Sequence, residues 1–397
     1  MTRYYKDWLE AFVEHASVGE APLDLLWWVG VSTIAGALRR RVWIEQGTFQ
    51  WVPNFYIVAV APPGIISKTT TANVGFRLLR QIDGIHFGPD IMSWQALIQY
   101  LGQIGETFTD ERGGHYDQSA CTCAIDEYGT FIDPYDRQQT DNLTSLWDGK
   151  PGTIWKAAKL GHDHLVYPWL NVFACTTGNW MENNFPESFL GSGLMSRHIY
   201  LFASEKRQLV AYPWENAGPE FTLRESKLVS DLREIAAYIG PYELTPDAIE
   251  WGKAWYEDHW ARYGKETRER LGFPARKQTH LHKLAMVISA ARGEFPRITP
   301  ATLQLANQRL DEVEPGIRKV LALLGTTNIT RASRMIVEYM MQGPKKAMLA
   351  ETVYGNLFFR QLSYKEFGEA VAGAVGAGYI KTDPTMTTLT LCKPLEM

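Results

Sequence analysis

Residues 54–70 read NFYIVAVAPPGIISKTT and continue as TANVGFRLLRQI to residue 82. Asn54 to Val60 is an apolar run of strand length, and a Pro/Gly turn stops it. The stretch TTTANVGFRLLRQI then returns to helical spacing. Strand, loop, helix is the opening unit of a nucleotide-binding α/β fold. A loop that holds phosphates needs small residues, a Lys for the β- and γ-phosphates, and a Ser or Thr hydroxyl for Mg²⁺. Lys68 and Thr69 fill the last two roles, with Gly64, Ser67 and Thr70 as further contacts. The match to G-x-x-x-x-G-K-[ST] is incomplete: Pro62 and Ser67 stand where Gly is expected, and Gly64 is out of register.

Working outward, SACTCAIDEYGTFID (119–133) contains a second apolar strand, Ala120 to Ile125, ending in Asp126 and Glu127. One acid can hold the Mg²⁺ shell while the next polarises a water, as phosphoryl transfer requires. A third strand, Trp169 to Thr176, runs into TTGNW, which offers Thr177 and Asn179. A fourth, His198 to Ala203, follows GSGLMSR and its Arg197. Strands alternating with helical stretches predict a parallel sheet with helices on both faces. Residues 1–50 read as two helices, 51–240 as the sheet-bearing core, 241–328 as a helical lid, and 329–397 as a small separate domain. The last reads helix, turn, helix, helix, β-ribbon, the order of a winged helix.

Composition fits an ordinary globular chain. Lys and Arg number 40 against 44 Asp and Glu, a net charge of −4, which excludes a wholesale polycation but leaves room for a local basic groove. The apolar run LLWWVGVSTIAGAL (25–38) falls short of the ~20 residues a membrane span needs. It is expected to be a buried helix, neither span nor leader, in a cytoplasmic protein without a membrane partner. Cys121, Cys123, Cys175 and Cys392 form no C-x-x-C pair and are expected to be reduced. G-x-S-x-G, H-E-x-x-H and Cys/His metal spacings are missing from the sequence, so other hydrolase chemistry is not expected.

The succession of loop, DE pair, polar strand end and SR before a further strand resembles an AAA+ ATPase. GLMSRHIYLF (193–202) is similar to the corresponding region of the minichromosome maintenance helicases. The stretch from residue 25 to 325 resembles helicase-like ATPases of phages and mobile elements, often fused to primases, and the tail resembles the winged helix that follows several such motors. The resemblance implies a P-loop NTPase fold that uses ATP and Mg²⁺. It makes Lys68 and Thr69 Walker A, Asp126 and Glu127 Walker B, and Thr69 with Asp126 the metal ligands. Thr177 or Asn179 becomes the first sensor and Arg197 an arginine finger reaching a neighbouring subunit. The segment ARKQTHLHKLAMVISAARG (275–293) supplies a second sensor, Arg276, with Lys283 in reserve.

Between the second and third strands, TIWKAAKLGHDHLVYP (153–168) reads as a β-hairpin. In the resembled motors such a hairpin enters the channel, which makes Trp155, Lys156, Lys159 and His162 candidate single-strand contacts. In the tail, eight Lys and Arg face six Asp and Glu from residue 330 onward. Lys345, Lys346, Arg360 and Lys365 are candidate phosphate contacts there. The expected activity is an ATP-dependent DNA-translocating helicase-like motor, working as a homo-oligomeric, hexameric ring with a primase or polymerase partner. The alternative is an ATP-regulated replication initiator, helicase loader or adaptor that binds DNA or protein without unwinding.

Overall fold

The computed structural model describes residues 3–89, 93–110, 112–149, 153–157, 161–165, 167–186, 189, 192–262, 272–324, 328–343, 346–359 and 361–393, with the backbone alone at 153–157, 161–164, 323 and 328. Two units are distinguished, residues 1–324 and 325–397.

The first unit opens with α1 (Trp8–Ala16), whose N-cap Asp7 accepts from the amides of Leu9 and Glu10, and with α2 (Leu23–Leu38), buried without a break from Leu25 to Leu38. Helix does not continue to residue 50, as the sequence reading had it. The β-branched and aromatic run VWIE forms β1 (Val42–Glu45), which pairs antiparallel with β2 (Gln50–Trp51). The basic triplet after α2 turns inward: Arg39 adopts a φ of 54° and donates to the Gly84 carbonyl, while Arg40 donates to the carbonyls of Gly149 and Pro168.

The strand at the head of the loop is β3 (Tyr56–Val60), followed by α3 (Lys68–Leu79) and α4 (Trp94–Gln103). Next come β4 (Glu106–Thr109), β5 (His115–Ile125), α5 (Arg137–Asp148) and the ribbon of β6 (Thr153–Ala157) with β7 (Gly161–Leu165). β8 (Pro168–Thr176), α6 (Gly178–Asn184) and β9 (His198–Phe202) complete the central part. The sheet order is β4-β5-β8-β3-β9. β5, β8, β3 and β9 are parallel, with Val58 opposite both Ala174 and Tyr200, and only β4 runs antiparallel. Phe87 adds one parallel bridge to Thr122 at the outer side of β5. All residues of β3 and β8 are buried, as strands covered on both faces must be.

Helices α2 and α3 meet closely enough that Gly36 and Gly75 leave no space for a side chain. After β9, α7 (Phe221–Ala236) leads to two short parallel pairs, β10 (Gly240–Pro241) on β1 and β11 (Glu243–Leu244) on β12 (Arg297–Ile298). Between and after them lie α8 (Pro246–Arg262), α9 (Phe273–Arg292) and α10 (Pro300–Leu323). Leu281, Leu284, Ala285 and Ile288 predict one apolar face for α9 and a polar face opposite it. Instead it is buried continuously from His280 to Ala291, within the same core as the sheet. Ser289 within it donates to the Arg297 carbonyl rather than to solvent.

The second unit contains α11 (Asn328–Gln342), β13 (Ala347–Leu349), α12 (Ala350–Leu357), α13 (Tyr364–Gly376), β14 (Ile380–Thr382) and β15 (Thr388–Leu391). Its antiparallel order is β13-β15-β14, so the expected ribbon gains a third strand. Ser363 and Glu366 form a capping box at the start of α13, and Ile336, Met340, Phe367, Val371 and Leu389 belong to a core of its own. Among the described residues no helix is long and apolar enough to cross a membrane.

Candidate functional site

Parallel strands deliver their C-terminal ends to one edge of a sheet, and loops there carry side chains from several segments to one place. At this edge β3 ends in Ala61 and the loop Pro62–Ser67. Gly64 has a φ of +71°, a conformation that suits glycine, and a side chain there would meet nothing within 4 Å. Ile66 is buried in the main core and pins the loop's far side. Ser67 precedes α3 without a side-chain capping bond. A helix N-terminus of this kind attracts anions through its N–H groups. Lys68 Nζ donates to the Ala61 carbonyl at 3.0 Å, which draws the side chain back across the loop.

Four of the predicted residues meet around one that sequence reasoning passed over. Cys175, the penultimate residue of β8, lies in register with Ala59. Burial pushes its thiol up to about 12, the Lys68 ammonium and the Thr69 hydroxyl oppose that, and Asp126 and Glu127 add to it. Lys68 in turn is lowered by burial and supported by Glu127. Lys68, Thr69, Asp126 and Glu127 therefore share one electrostatic neighbourhood with Cys175, although the five come from three segments. The signal for Cys175 was available: it lies one residue before the strand end at Thr176.

The backbone at the carboxylates is fixed. Glu127 caps a short 3-10 turn at Tyr128–Thr130, and its carbonyl accepts from the Thr130 amide at 2.9 Å and hydroxyl at 2.8 Å. Tyr128 is fully buried and donates to His198 Nε2 at 2.7 Å. Trp180 packs so closely on Gly129 that an added Cβ would approach its ring to 2.5 Å. Neither contact had a signal in sequence spacing. Thr177 stands at the same sheet edge, but its hydroxyl accepts from the Trp180 amide at 3.1 Å as the N-cap of α6. Asn179 is exposed on the first turn of that helix, and Thr70 is exposed on the first turn of α3.

The donor set fits a magnesium–nucleotide complex. Mg²⁺ is usually held by one or two protein oxygens together with phosphates and waters; Thr69 and Asp126 offer a hydroxyl and a carboxylate that both act on Cys175. Lys68 and the start of α3 would provide the positive groups for phosphate. Among the described residues no cluster of three His, Cys, Asp or Glu is arranged to hold a metal alone.

Arg197 and Arg276 lie elsewhere. Arg197 precedes β9, and so sits at the opposite end of the sheet from the loop. It is 4% exposed, bidentate on Asp148 at 2.9 Å, and donates to the Gly193 carbonyl at 2.6 Å. A guanidinium so occupied within its own chain presents nothing to a neighbour. Arg276, expected beside the nucleotide, joins Arg197 rather than Lys68: both face Asp148. It is half-buried on α9 and lines a cavity of about 280 Å³ with Trp147, Asp148 and Thr279. Lys283, 2% exposed, donates to Asn54 Oδ1 at 2.6 Å and to the Trp147 carbonyl, with its Nζ 3.5 Å from the Trp147 ring centre. Burial drives its proton affinity well down. Three basic side chains gather here around one carboxylate.

No family model matches the chain, and no curated protein matches it. Of the candidate nucleic-acid contacts, Trp155, Lys156 and His162 lie on the β6–β7 ribbon, whose register pairs Lys156 with His162 and Trp155 with Asp163. Their side chains, and Lys159, Lys345 and Arg360 altogether, lie outside the described residues. Lys346 is exposed beside β13, its carbonyl accepting from the Leu391 amide, and Lys365 is exposed on α13.

Proposed function

We propose that the chain binds and hydrolyses a nucleoside triphosphate, ATP, at the edge formed by β3, β5 and β8. The observation that carries this reading is the convergence of Lys68, Thr69, Asp126 and Glu127 around Cys175. Lys68 leaves the Ala61 carbonyl for the β- and γ-phosphates, and the N-terminus of α3 receives their charge. Thr69 and Asp126 hold Mg²⁺, which when bound neutralises charge developing on the phosphoryl oxygens. Glu127, on its pinned backbone, orients the attacking water and accepts its proton. The finer reading is an AAA+-like, helicase-like motor on single-stranded DNA, assembled as a ring and carrying a winged helix in its second unit. It is supported by the order of loop, carboxylates, polar strand end and SR along one parallel sheet, and by the ribbon between β5 and β8.

The test is steady-state ATP hydrolysis with and without single-stranded DNA, using Glu127→Gln as the control. Hydrolysis that rises with DNA and falls at least about a hundredfold in the variant is expected for a motor. No hydrolysis in either condition overturns the motor reading. The alternative, an ATP-regulated initiator, loader or adaptor, has one observation in its favour. Arg197 is closed on Asp148 of the same chain, so the trans contact a ring motor needs requires that pair to open first.

A further inference from the structure

A second cleft, of about 460 Å³, opens between β2, α8 and α9. That volume lies within the ~300–1,000 Å³ of small-molecule sites. Its walls are aromatic, from Trp51, Tyr242 and Tyr256, and one side is cut back at Ala248 and Gly252, which are one helical turn apart on α8. His282, 6% exposed, lines it from α9, its ring 4.5 Å from that of Trp51. The contact at 2.8 Å between His282 Nδ1 and the Gln278 carbonyl fixes the proton on Nδ1. Nε2 is then an acceptor, left open to the cleft by the one bond the ring makes among the described residues. Burial holds the ring neutral, with its pKa at about 4. Beside it the Gln278 side-chain amide offers a donor and an acceptor. Lys253, exposed and without an ion pair among the described residues, stands at the rim.

An aromatic-walled cleft with one fixed acceptor next to an amide complements a flat ring that carries an amino group beside a ring nitrogen. We propose that this cleft binds an amino-bearing nucleobase, adenine or cytosine, whose N–H₂ donates to His282 Nε2 while its ring lies against Trp51 and Tyr256. Lys253 is placed for the sugar–phosphate side. The base can come from a free nucleoside or from a single strand, which present the same edge. This site is independent of the triphosphate reading and uses none of its residues.

The test uses the full chain, with adenosine followed by saturation-transfer NMR and a labelled single-stranded oligodeoxyadenylate followed by anisotropy. Gly252→Leu is the blocking variant: an added Cβ at Gly252 meets nothing within 4 Å, so the side chain enters the cleft without disturbing the core. At least one probe is expected to lose binding about tenfold or more in Gly252→Leu, with a thermal midpoint no lower than that of the parent. Whichever probe responds identifies the source of the base. Purine riboside, which lacks the amino group, is expected to bind about fivefold more weakly than adenosine, one hydrogen bond's worth. Neither probe responding to Gly252→Leu, or purine riboside equalling adenosine, overturns the proposal. Binding lost in Lys68→Ala but kept in Gly252→Leu also overturns it, and credits the loop at residues 62–69 instead.

Discussion

Cys175 shows how much one side chain's surroundings decide. Its thiol is sealed among a lysine, a threonine and two acids and pushed up to about 12, so it is a poor nucleophile at neutral pH. Cys121 and Cys123 are buried in the same sheet, and Cys392 is exposed. Thiol titration of the native chain at pH 7.5 is therefore expected to register Cys392 rapidly and the other three only after denaturation; fast reaction of a second thiol would contradict this burial. At the other end of the sheet the Arg197–Asp148 pair sets a different expectation. Asp148→Asn leaves a 4%-exposed guanidinium short of its counter-charge. The loss is expected to be about 2 kcal/mol in urea unfolding, below the ~3–5 of a fully buried pair because Asp148 is partly exposed. Asp148 lies far from Arg197 in sequence, which is why residue order alone made Arg197 look free.

Among the elements, the four parallel strands were the legible part. Largely apolar runs of five to nine residues bounded by turns mark β3, β8, β9 and the Ala120–Ile125 half of β5, because a strand buried on both faces has no room for polar alternation. β1 and β2 were not legible: four and two residues are too short to show a period. Sheet order was also hidden, since hydrophobicity says that a strand is buried and not which strand lies beside it. At the candidate site, Lys68, Thr69, Asp126 and Glu127 were legible from residue type and position at strand ends. Trp180 acts by packing and left no pattern, and Cys175 was marked only by its place next to the strand end. The contact of α2 with α3 yields a prediction of its own. A Cβ on Gly75 would lie 2.3 Å from Thr33 Oγ1 and 2.7 Å from Val29 Cγ1. Gly75→Ala should lower stability by about 1–2 kcal/mol despite alanine's better helix propensity, because overpacking costs more than that propensity returns. A denaturant midpoint at or above the parent's would show that the helices separate freely.

For the whole molecule, the buried histidines of the first unit set the acid limit. His15, His198 and His282 are held near 4 and His280 near 3, chiefly by burial. The unfolded chain takes up these protons as pH falls through about 6.5, whereas the folded chain refuses them until about 4. Stability is thus complete above 6.5 and is lost on going toward 4, by about 1 kcal/mol per histidine between pH 7 and 5.5. Urea midpoints that stay level over that interval would refute the assignment. One further consequence comes from β3. A lysine sits at each of its ends: Lys283 on the Asn54 carbonyl at 3.3 Å, and Lys68 on the Ala61 carbonyl at 3.0 Å. The strand resembles a beam with one support welded and the other removable. Lys283 is locked in the core, whereas Lys68 is half-exposed and can change partners. Whatever the loop takes hold of loosens the removable support alone, so the response to it begins in the loop and in α3 while the sheet keeps its alignment.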